Sequence, residues 1–109
     1  MKNKKYIIQA TKANQLIVEG LLQLSAQEVE CSYTRSFSIM TKYGKLIVSL
    51  STPEYSISMF TCFSRFVDVE KAKGTGCNPY SGKWNWHVTD NATPEYFAQL
   101  VLNDIKKIL

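Results

Sequence analysis

The chain has 109 residues and a mass of 12.4 kDa, room for one hydrophobic core and not for two. Hydrophobic residues at 45% and charged residues at 20% exclude a disordered chain, and apolar runs no longer than Leu46-Ile47-Val48 exclude a membrane-spanning helix. The formal charge is +4, and the excess is central: Arg35, Lys42, Lys45, Arg65, Lys71, Lys73 and Lys83 face only Glu54, Asp68 and Glu70 over that stretch.

In chain order, Tyr6, Ile7, Ala10, Ala13, Ile17, Leu21 and Leu24 recur at steps of three and four, predicting an amphipathic helix over residues 3–24, although Tyr6-Ile7-Ile8 would also suit a short strand. Asn3 is placed to cap it, and Gly20 weakens its interior by up to about 1 kcal/mol. From Cys31 to Ile39 the period changes to two. Cys31, Tyr33, Arg35, Phe37 and Ile39 alternate with Ser32, Thr34, Ser36 and Ser38, which predicts a first strand. Tyr43-Gly44 reads as a tight turn, Lys45–Ser51 as a second strand, and Thr52-Pro53-Glu54 as a turn.

Residues 55–67 read as a long third strand. Tyr55, Ile57 and Met59 share one phase, while Phe60, Cys62, Ser64 and Phe66 share the other, so either a bulge near Met59–Phe60 or a strand apolar on both faces is expected. Asp68–Lys73 suits a single helical turn stopped by Gly74, and residues 74–82 form a loop by composition. Lys83–Val88 is the fourth strand, with Trp84, Trp86 and Val88 on one side and Lys83, Asn85 and His87 on the other. Thr93-Pro94-Glu95 opens a final helix, whose buried stripe is Phe97, Leu100, Val101, Ile105 and Ile108. The expected fold is α+β: a four-stranded antiparallel sheet with an N-terminal and a C-terminal helix packed on one face, over Trp84 and Trp86. The other face is left to solvent or a partner, and an open sheet edge would let a second copy pair.

Few residues offer chemistry. His87 is the single histidine, and Cys62 on the preceding strand is the one nucleophile within geometric reach of it; a Cys–His enzyme is therefore the catalytic alternative. Against it, Cys62 lies among Phe60, Phe63 and Phe66 as a core thiol would, and no oxyanion-stabilising group is evident. Cys31, Cys62, Cys77 and His87 lack the paired spacing of a zinc site, and the odd cysteine count argues against a disulfide framework. Gly74-Thr75-Gly76 lacks the continuation of a phosphate loop. No cofactor and no metal is implied. The basic start, Met1-Lys2-Asn3-Lys4-Lys5, leads into an apolar stretch too short for a signal peptide, so a cytoplasmic protein is expected.

The run from Cys77 to His87 is the densest in information. Trp84 and Trp86 read as core, while Tyr80, Lys83, Asn85 and His87 are placed to display a contact surface with Arg65. Such groups suit single-stranded nucleic acid or a protein hot spot. Asn78-Pro79-Tyr80-Ser81-Gly82-Lys83-Trp84-Asn85, followed by His87 and preceded by Phe63-Ser64-Arg65-Phe66, resembles a motif of small uncharacterised bacteriophage and prophage proteins. Trp86 stands where that motif has Phe, and the resemblance spans roughly residues 33–88. It implies a phage-type accessory protein in a bacterial cytoplasm, and it carries over no functional residue. The expected function is therefore non-catalytic binding of a host protein or nucleoprotein, blunting a host defence such as CRISPR. The alternative is direct nucleic-acid binding through a cationic sheet face. Residues Arg65, Tyr80, Lys83, Asn85 and His87 are the expected contacts in both.

Overall fold

The sidedness of the apolar residues builds the fold seen in the computed structural model, which describes residues 4–53, 59–89 and 91–109. Helix α1 spans Lys4–Gln23 and buries Tyr6, Ala10, Ala13, Ile17, Val18 and Leu21. Five strands follow: β1 (Gln27–Val29), β2 (Ser36–Thr41), β3 (Gly44–Leu50), β4 (Met59–Phe66) and β5 (Trp86–Thr89). Helix α2, Pro94–Lys107, closes the chain. The sheet is antiparallel throughout, in the order β1-β2-β3-β4-β5. The α+β class and the terminal helices agree with expectation.

Strand number does not. Among the described residues the sheet has five strands where four are expected, because β1 is a three-residue edge, Gln27-Glu28-Val29, with no internal alternation to announce it. It exists by pairing Gln27 with Ser38 and Val29 with Ser36. The strand expected from Cys31 begins only at Ser36. Cys31, Tyr33 and Arg35 alternate in a loop, and Tyr33 is 92% exposed, so that alternation has no core to face. Of the two readings of the phase slip, the described part of β4 takes the strand apolar on both faces: it pairs without interruption from Met59↔Thr89 through Cys62↔Trp86, with Phe60 and Phe66 buried and Met59 and Phe63 exposed. The expected cap at Asn3 and the Tyr55–Ile57 phase fall outside the described residues.

Register puts Phe37, Ile39, Leu46, Val48, Leu50, Phe60, Cys62, Phe66 and Trp86 on one face, all buried under the two helices. The Tyr6 ring lies 5.7 Å from Phe60, which stacks on Phe97 at 5.6 Å, so both helices meet β4 through aromatics. Each such pair adds about 0.5–1.5 kcal/mol beyond its area burial. The Tyr6 hydroxyl donates to the Met59 carbonyl. Trp86 Nε1 donates to Asp104 Oδ2 at 2.8 Å, fixing α2 over β5. Thr93 caps α2 as expected, accepting from Tyr96 N–H at 3.0 Å, with Pro94 in the first turn.

Gly20 has a use that its helix propensity hides. A Cβ built there would overlap the Leu102 side chain, so the missing side chain lets α2 close against α1.

Candidate functional site

With both helices on one face, the opposite face of the sheet is left open, and antiparallel register sets what stands on it. One row across the strands reads Gln27, Ser38, Ile47, Arg65, Lys83. A second reads Val29, Ser36, Ser49, Phe63. Beyond these, Lys45 lies opposite Met40 and His87 opposite Thr61. Ile47, Ser49, Phe63, Arg65, Lys83 and Asn85 surround an open groove of about 260 Å³.

The electrostatics of this face are one-sided. Lys45, Arg65 and Lys83 are exposed, and none has a carboxylate partner among the described residues. Between described residues, ion pairs form elsewhere, as Lys12–Glu95, Arg35–Glu28, Lys73–Glu70 and Lys107–Asp104. No described residue in either cross-strand row is acidic. Like charges set directly opposite on neighbouring strands are destabilising, so Arg65 beside Lys83 is a local cost that the fold tolerates.

The expected contacts divide into three groups. Arg65, Lys83 and Asn85 come together at the groove. His87 shares their face, with its ring edge-on to Phe63 at 6.2 Å between centroids. Tyr80 stands apart on the loop before Lys83, 93% exposed, and does not line the groove. Asn78 builds that loop by accepting from Tyr80 N–H at 2.8 Å and Ser81 N–H at 3.1 Å. Gly82, at φ +74°, brings its backbone against Phe66, where a Cβ would lie 2.7 Å from the Phe66 carbonyl oxygen. Asn85 has a second duty: its Oδ1 accepts the Ser64 N–H at 3.1 Å, and the Ser64 hydroxyl donates to the Trp84 carbonyl. The β4–β5 junction is thus held partly by side chains, which aims Lys83 and Asn85 at the groove.

Hydrophobic patterning does not single out Phe63. Its neighbours in sequence, Phe60, Cys62 and Phe66, are core, yet it is 41% exposed on the open face. Parity was the signal: Phe63 shares the phase of Thr61 and Arg65, opposite to Phe60, Cys62, Ser64 and Phe66. Of the hydroxyls that alternate with Cys31–Ile39, only Ser36 and Ser38 lie on the sheet. Ser32 and Thr34 belong to the β1–β2 loop, and Ser36 is buried against Ser49 with their oxygens 2.8 Å apart. Arg35 is an edge residue on the helix side. It binds Glu28 through two hydrogen bonds of 2.9 and 3.0 Å, and this holds the Glu28 carboxyl below the usual carboxylate range.

The Cys–His alternative fails on sidedness. Cys62 pairs with Trp86 and faces the core, whereas His87, one residue on, faces the opposite side of the sheet. Burial pushes the Cys62 thiol up to about 12, the reverse of an activated nucleophile. Cys31 is the contrast. It is exposed on the β1–β2 loop beside a depression of about 740 Å³, and its thiol is lowered to about 6, chiefly by the Thr34 hydroxyl and then by the backbone at Tyr33 and Thr34. Register sets the Cys31 and Cys77 loops at opposite ends of the sheet, so they do not meet. Among the described residues no three His, Cys, Asp or Glu side chains converge as metal ligands, and no helix is long and apolar enough to cross a membrane.

Compared with known protein families, curated sequences and solved structures, the chain matches none.

Proposed function

We propose that this protein is a non-catalytic binding protein of phage type, acting in a bacterial cytoplasm, whose open sheet face captures a host nucleoprotein. One observation carries the reading: Phe63, Arg65, Lys83 and Ile47 form an uncovered apolar and cationic patch with no carboxylate in its cross-strand rows. Phe and Arg are both enriched at the cores of protein interfaces, and cationic charge gives such a patch its partner preference. The rigid aromatic layer beneath it, tied by Trp86 and Asp104, holds the patch in place before binding. The resemblance of the Asn78–His87 run to phage proteins supports the provenance, and blunting a nucleic-acid-guided host defence belongs to the same reading.

Affinity capture by the tagged protein from bacterial lysate, with and without nuclease, tests the reading. The expected result is a defined set of host proteins whose recovery falls when Arg65 and Lys83 are both changed to Glu. Recovery that ignores both residues would contradict it.

A further inference from the structure

We propose that the element this face takes from its partner is a segment of single-stranded nucleic acid, with an unpaired base on Phe63 and the flanking phosphates on Arg65 and Lys83. The inference rests on the reading of the open face as the docking surface and names the chemistry it recognises. Phe63 sits within the sheet rather than at its rim, in line with Ser49 on β3, and its ring is partly bare. Arg65 follows two residues later on the same face, a step of roughly 7 Å. Lys83 lies directly across from Arg65. A base stacked on Phe63 therefore has its own phosphates within reach of two long cationic side chains that no carboxylate engages among the described residues. The His87 ring, edge-on to Phe63, borders the same platform.

Charge complementarity calls for a polyanion, and the aromatic ring chooses among polyanions. In a duplex the base faces are hidden in the stack, and a sheet face presents no projecting element to enter a groove. An acidic peptide satisfies the cations but gains nothing from a stacking platform. Single strands use both, since every base has a face to stack and every linkage a charge.

The test is fluorescence anisotropy at low salt with labelled oligo-thymidylate, oligo-uridylate, a DNA duplex of equal length and a poly-glutamate peptide. The expected result is preference for the single strands. Phe63→Leu weakens their binding by about tenfold, and Phe63→Tyr preserves it. Arg65→Gln and Lys83→Gln each weaken binding and each lower the slope against log salt by about 0.7. Denaturation midpoints of the variants establish that they fold. Equal binding of duplex or poly-glutamate, or binding indifferent to Phe63→Leu, would overturn the inference. So would the absence of any oligonucleotide binding. In each of these cases the proposed function still stands if lysate capture depends on Arg65 and Lys83, and falls if it does not.

Discussion

Arg65 and Lys83 stand directly opposite each other on the open face, two exposed cations joined by a β-bridge with no carboxylate partner among the described residues. Cross-strand neighbours have Cβ atoms about 5 Å apart, and like charges there oppose folding by a few tenths of a kcal/mol. Lys83→Glu converts repulsion into attraction and should raise stability by about 0.2–1 kcal/mol, read as a shift in the urea midpoint. The same change should abolish partner capture. A gain in stability with a loss of function is the signature of residues kept for binding. A destabilised Lys83→Glu would show that the pair is not a source of repulsion.

Gly20 and Leu102 give a second test, in which the sign matters more than the size. Propensity alone predicts that Gly20→Ala stabilises α1 by up to about 1 kcal/mol. The close approach of Leu102 predicts the reverse, a loss of about 1–2 kcal/mol, because the whole isobutyl group must move. In a Leu102→Ala background the obstacle is gone, and Gly20→Ala should then stabilise. Chemical denaturation of the four proteins gives the coupling directly.

The helices and most of the sheet were legible from local signals. Thr93-Pro94-Glu95 announces α2 within the chain itself, and the alternation of Trp84 and Trp86 with Lys83, Asn85 and His87 fixes which side of β5 faces the helices. What was missed depends on distant partners. Gln27-Glu28-Val29 becomes a strand only because Ser36–Ser38 lies beside it, and the alternating Cys31–Arg35 segment stays a loop outside the ladders, although the Arg35 carbonyl accepts the Leu50 N–H at 3.0 Å. At the candidate site, Arg65, Lys83, Asn85 and His87 followed from parity. Phe63 was masked by Phe60 and Phe66, and its exposure shows only once β4 is seen as alternating strictly. Tyr80 lies close to them in sequence, but the turn built on Asn78 holds it away from the groove.

Cysteine reactivity should separate by face. With its thiol lowered to about 6, Cys31 is largely thiolate at neutral pH, so its alkylation rate should rise through about pH 6 and level off by pH 7. Cys62, pushed up to about 12 by burial, should stay unmodified in native protein and react only after unfolding. Iodoacetamide labelling followed by peptide mass spectrometry reads both. Rapid native labelling of Cys62 would contradict the core placement.

The Trp86–Asp104 hydrogen bond ties α2 to β5. Trp86→Phe keeps most of the apolar ring but removes the indole N–H, leaving a half-buried carboxylate short of a donor. The expected cost is about 1.5–3 kcal/mol in urea denaturation. Asp104→Asn retains an acceptor for the indole and should cost less, about 1 kcal/mol.

The central claim is that the helix-free face is where the partner docks. The most direct measurement compares lysate capture by two variants of equal charge change, Arg65→Glu with Lys83→Glu on the open face, and Lys12→Glu with Lys106→Glu on the helices. Loss of the captured host components in the first and their retention in the second is the predicted result. Equal retention in both, or loss in both, would contradict a docking site on this face.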